Sequence, residues 1–100
     1  MLQGTTPTHT FNIPFDTSII SRVRVIYAQN DNVILTKTER DCTFGDNTLS
    51  VTLTQEDTFL FDHKLPVEIQ LRALTPSGSV LASVPKKVGV TKCLETEVIE

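Results

Sequence analysis

The residues able to do chemistry are few. The chain has two histidines, His9 and His63, and two cysteines, Cys42 and Cys93, which lie too far apart for a CxxC motif. Two free thiols are the expectation in a reducing compartment, with Cys42 acting as a small core hydrophobe. His63 follows Asp62 in the polar stretch Asp62-His63-Lys64, but adjacent residues on extended chain point opposite ways, so the pair reads as solvated loop. No serine sits in a G-x-S-x-G elbow, and neither H-E-x-x-H nor a glycine-rich phosphate loop occurs. These patterns predict no catalytic residue, no cofactor-binding residue and no metal ligand.

Two polar clusters remain. Asn30-Asp31-Asn32 has the composition of a calcium loop, yet the sixth position is Leu35 and the twelfth is Asp41, where an EF-hand needs Gly and Glu. A hairpin turn is the better reading. Arg22 and Arg24 share one outward face, with Arg72 as a possible neighbour, a set able to meet a carboxylate or phosphate. Paired with Glu68 across the sheet, they read better as ordinary charged surface.

Behind these residues stands a period of two. Phe11 and Ile13, then Val23, Val25 and Tyr27, then Leu49, Val51 and Leu53, then Val67, Ile69, Leu71 and Ala73, and finally Val80, Ala82 and Val84 alternate along their segments. Such alternation marks strands buried on one face. It predicts strands near 8–14, 20–29, 33–38, 41–45, 48–54, 66–74 and 79–91. Phe11, Leu35, Phe59, Val80 and Val84 join the expected core.

Turn chemistry sets the expected pairings. A three-residue turn at Asn30-Asp31-Asn32 places Tyr27 opposite Leu35 and Ala28 opposite Ile34. A two-residue turn at Asp46-Asn47 places Phe44 opposite Leu49 and Cys42 opposite Val51. A four-residue turn at Thr75-Pro76-Ser77-Gly78 keeps Val80 and Val84 inside. A three-residue loop over Pro76–Gly78 is equally good chemistry but turns both outward. Thr54-Gln55-Glu56-Asp57 reads as an N-cap opening one short helical turn near 55–60. Together these predict an all-β, immunoglobulin-like antiparallel β-sandwich of about seven strands in a single domain over 1–100, with flexible arms at about 1–8 and 92–100.

The chain of 100 residues has net charge −3, and Glu95, Glu97 and Glu100 account for it, leaving residues 1–94 neutral. A nucleic-acid site needs a clustered basic excess, so no nucleic-acid partner is expected. No apolar run approaches membrane-spanning length, so no membrane contact is expected either. Met1-Leu2-Gln3-Gly4-Thr5 lacks a basic n-region and an apolar h-region, which points to the cytoplasm. Outward apolar residues are then the remaining signal. Ile26, Ile34, Leu74 and Leu81, with Ala28, fall opposite the core in the predicted registers and form the candidate interface.

The segments Thr6-Pro7-Thr8-His9-Thr10-Phe11, Pro14-Phe15-Asp16, Thr52-Leu53-Thr54-Gln55-Glu56-Asp57-Thr58 and Val67-Glu68-Ile69-Gln70-Leu71-Arg72 resemble small proteins encoded by phages and prophages of Gram-positive bacteria. More distantly, the strand order resembles the N-terminal β-sandwich domain of phage baseplate upper proteins. The resemblance implies a non-catalytic structural or accessory protein, tail or baseplate associated, made in the host cytoplasm and then carried into the virion. Its partners would be other phage structural proteins or a second copy of itself. The alternative expectation is a carbohydrate-binding or cell-surface-binding module, which the absence of Trp disfavours.

Overall fold

A computed structural model describes residues 1–14 and 16–100. Among these residues, eight strands form two antiparallel sheets of an all-β sandwich. The smaller sheet has the order β1-β5-β4, from β1 (Thr8–Asn12), β4 (Cys42–Phe44) and β5 (Thr48–Thr52). The larger has β2 (Arg22–Gln29), β3 (Asn32–Thr38), β6 (Val67–Leu74) and β7 (Val80–Ala82) in the order β3-β2-β6-β7. Strand β8 (Lys86–Val88) pairs with the other half of β6.

The three hairpins answer to turn chemistry in three ways. At Asp46-Asn47 the predicted register is the observed one, with Phe44 opposite Leu49 and Cys42 opposite Val51. At the first hairpin Asn30 and Asp31 both take positive φ, 50° and 64°, as a primed two-residue turn requires. That turn pairs Gln29 with Asn32, so the loop is one residue shorter than the sequence suggested. Tyr27 still meets Leu35, because a bulge absorbs Ile34, and Ala28 meets Val33 instead. Ile34 thereby turns toward the core, against which it packs.

The third hairpin corrects the hydrophobic pattern outright. Thr75 N–H donates to Ser79 O at 3.0 Å, which closes a three-residue loop, and Gly78 sits at φ 89°. Leu74 then faces Val80, Ala73 faces Leu81 and Arg72 faces Ala82. Val80 and Val84, expected inside, are 55% and 87% exposed. A glycine able to take positive φ decides the register here, because β7 is a three-residue edge strand with little core contact to set against it.

The predicted last strand is also two strands. Between them, Ser83 N–H donates to Leu71 O and Ser83 Oγ accepts from Leu71 N–H, both at 2.9 Å. Its side chain thus substitutes for a ladder partner, and Pro85, lacking an N–H, restarts the edge.

Between β5 and β6 the chain crosses sheets through α1 (Gln55–Phe59), as the sequence predicts. Thr54 Oγ1 accepts from Asp57 N–H at 3.1 Å and Asp57 Oδ2 accepts from Thr54 N–H at 2.9 Å, a reciprocal cap. Phe61 and Val67, beyond the helix, are fully buried. The core lies between the inner sheet faces, from Leu49, Val51 and Leu53 on one side to Val23, Val25, Tyr27, Ile69 and Leu71 on the other. Phe11 and Leu35 pack at its margin, half buried.

Both ends of the chain are hydrogen-bonded to the body. Met1 O and Gln3 N–H bond Thr91 in parallel fashion, while the Gln3 side chain bonds Phe61 O and Cys93 N–H. Gln55 holds Ile99 by both its N–H and its carbonyl, at 2.9 and 3.0 Å.

Candidate functional site

Four titratable residues, His9, Tyr27, Cys42 and Asp57, are engaged in structure. His9 lies on the inner face of β1, where Nδ1 is 2.8 Å from the Tyr27 hydroxyl and the rings stand 5.6 Å apart. Burial, with the N-terminal ammonium adding to it, holds the imidazole below its ordinary pKa, so it is neutral at pH 7. Burial likewise raises the Tyr27 phenol well above its usual range, with Cys42 and Asp57 contributing. Tyr27 in turn tilts against Phe61 at 5.9 Å.

Cys42 packs against the core and its thiol donates to Thr38 O at 3.3 Å. Burial first, then Asp41 and Glu39, push its pKa up to about 11. A thiol so protonated is a poor nucleophile. Cys42 and Cys93 are both free. His63 is exposed, and the Asp62 carboxylate beside it accepts from Lys64 N–H at 2.8 Å. That bond closes the loop on itself. Asn30 and Asp31 are occupied by the turn, where Asn32 Nδ2 reaches Asn30 O at 3.3 Å.

Two engaged polar groups had no sequence signal. Lys37, which alternation places on the inner side of β3 opposite Val25, pairs with Asp57 at 2.8 Å. Burial alone would raise the Asp57 pKa, but Lys37 and the Thr54 N–H and hydroxyl outweigh it and the net shift is downward. Gln29, 4% exposed, donates to Asp62 O and Leu65 O and accepts from Asp62 N–H. It fastens the α1–β6 connection to the end of β2. Only the partners, brought from more than 30 positions away, explain a buried amide there.

An open apolar cleft of about 360 Å³ lies beside the edges of β1 and β7, lined by Ile13, Ile20, Leu71, Ala73 and Leu81. Its lining contains no titratable side chain. Leu81 therefore belongs to the inner side of the sheet, not to the outer face assigned from sequence, because the shorter third loop inverts β7.

The outer face of the larger sheet brings the remaining candidates together. Arg24 stands directly opposite Arg72, Arg22 opposite Leu74, and Leu74 opposite Val80. Ile26, opposite Gln70 and Thr36, continues the face, and Ala28 with Glu68 follows. Arg22, Arg24, Arg72, Leu74 and Val80 line a shallow depression of about 210 Å³. Of the four predicted interface residues, Ile26 and Leu74 share this face, whereas Ile34 and Leu81 turn to the other side. Among the described residues the ion pair found is Lys37–Asp57, so the three guanidiniums face solvent without a carboxylate. Glu68 instead stands opposite Lys87.

The opposite outer surface, on the smaller sheet, is hydroxyl-rich. Thr8 bonds Thr52 at 2.8 Å and Thr10 bonds Ser50 at 2.9 Å across the strands. No family model matches the chain, and no curated protein or solved structure matches it.

Proposed function

We propose that this chain is a non-catalytic structural or accessory protein of phage or prophage particles, tail or baseplate associated, acting through protein–protein contacts. It is built in the host cytoplasm and carried into the particle by its partners. The observation that supports a docking role is the outer face of the larger sheet. Like charges directly opposite each other on adjacent strands destabilise a sheet, and Arg24 faces Arg72. A partner carboxylate would remove that repulsion. Arginine is also among the residues enriched at interface centres.

The strand order supports an immunoglobulin-type wiring as well. In such a sandwich the second, fifth and fourth strands share one sheet, and a C′ strand extends the other. The order β1-β5-β4 over β3-β2-β6-β7 follows this if β1 takes the second strand's place and the first is missing. Such folds commonly serve as cell-surface and interaction modules.

Mass spectrometry of purified particles from a lysogen carrying this sequence tests the proposal. The chain at a fixed ratio to the tail proteins is the expected result. Its absence from intact particles, with the protein present in the lysate, overturns the reading.

A further inference from the structure

A sheet edge offers unpaired N–H and C=O groups, and folded proteins block it with charge, bulges, breaks or covering segments. Three of the edges here are blocked. Strand β3 carries its bulge at Ile34 and an inward lysine, Lys37. Strand β4 has three residues and follows the charged turn Glu39-Arg40-Asp41. The edge formed by β7 and β8 is interrupted at Ser83-Val84-Pro85 and bears Lys86 and Lys87.

The β1 edge carries none of these devices. It pairs with β5 alone, its register has no bulge, and neither a basic side chain nor a carboxylate occurs before Asp16, His9 being held neutral. The bonds Leu53 N–H to Pro7 O at 2.9 Å and Ile13 N–H to Asn47 O at 2.7 Å fix the phase of the ladder. Odd-numbered residues turn their peptide groups to β5, so Thr8, Thr10 and Asn12 turn theirs outward, and all three side chains are exposed.

We infer that β1 pairs antiparallel with β1 of a second copy of this chain, about a two-fold axis at Thr10. This register is self-complementary. Thr10 meets Thr10 of the other copy and Thr8 meets Asn12, each pair exchanging both backbone bonds. His9 comes opposite Phe11 on the inner side, and on the outer side hydroxyl meets hydroxyl at Thr10 and hydroxyl meets carboxamide at Thr8 and Asn12. The charge pattern selects this occupant: an uncharged strand meets its own copy without repulsion, and the blocked edges do not. The product is a continuous six-stranded sheet, β4-β5-β1 joined to its symmetry mate. Because β1 belongs to the smaller sheet, this contact is separate from the arginine face and does not depend on the proposed docking role. An interface of five-residue strands is small, so the dimer depends on concentration.

Sedimentation velocity of the full chain, from low micromolar to millimolar protein, tests this with three variants. The wild type forms a dimer as concentration rises. Thr10→Val keeps the N–H and dimerises like the wild type. Thr10→Pro deletes an outward donor that β5 does not use, and weakens association by more than about tenfold. Thr10→Lys sets two ammonium groups together at the axis, weakens association too, and loses that effect in high salt. Circular dichroism verifies that each variant is folded, and the lysine variant decides the matter if the proline variant is not. A wild type that stays monomeric throughout, or a dimer untouched by Thr10→Lys, overturns the inference; the second result would assign self-association to another surface.

Discussion

The imidazole of His9 and the phenol of Tyr27 meet at 2.8 Å between the two sheets, the one from β1 and the other from β2. A histidine that reads as a candidate for chemistry is thus the polar link across the sandwich interior. Its lowered pKa makes it a pH-dependent one. The neutral imidazole is favoured in the folded state, so the unfolded chain binds more protons as pH falls through about 6.5. Stability is therefore complete above that value and declines below it. Urea midpoints between pH 7.5 and 5 should fall for the wild type. His9→Gln, which keeps a polar contact without titrating, should flatten that part of the profile.

A second acid-sensitive contact acts lower on the pH scale. Asp57 joins the α1 cap to Lys37, and its folded pKa is depressed below the unfolded value of about 3.9. Its contribution is present above that unfolded value and is lost as pH falls through the folded one. Asp57→Asn should cost about 1–2 kcal/mol at pH 7 and lose its effect near pH 2, as read from denaturant titrations at both pH values.

Gln29 shows what one buried amide holds. Replacing it with leucine strands Asp62 N–H and Leu65 O, and leaves Asp62 O with the Leu65 N–H alone at 3.3 Å. A loss of about 2–4 kcal/mol is expected by chemical denaturation. Amide exchange should quicken first around Asp62, ahead of the sheets.

The third hairpin can be tested at its glycine. Gly78 has φ 89° and open space around it, so alanine there meets no side chain but must adopt an unfavourable backbone. Gly78→Ala should lower stability by about 1 kcal/mol. Gly89, equally open and without positive φ, should accept alanine with little change in melting temperature.

Period-two alternation made most strands and the inner residues legible, and Thr54 and Asp57 announced the helical turn. The sequence misled where two local rules competed. At Pro76-Ser77-Gly78 the hydrophobic pattern favoured one loop length and glycine geometry another; the edge strand followed the glycine, which turned Val80 outward and Leu81 inward. At Ile34 a bulge, which no composition marks, moved one candidate interface residue toward the core. The arginine face was half legible. Arg22 and Arg24 share a strand, and their phase was readable, but setting Arg72 opposite Arg24 needed the pairing of β2 with β6. Lys37 and Gln29 were illegible because their partners are remote in the chain.

The proposed docking role of the larger sheet is tested most directly by incorporation. A lysogen supplying Arg24→Glu, Leu74→Asp protein, shown by circular dichroism to be folded, would be induced and its particles quantified by mass spectrometry. The account predicts that wild-type chain enters the particles and the double variant stays in the soluble lysate. Equal incorporation of the two would contradict it.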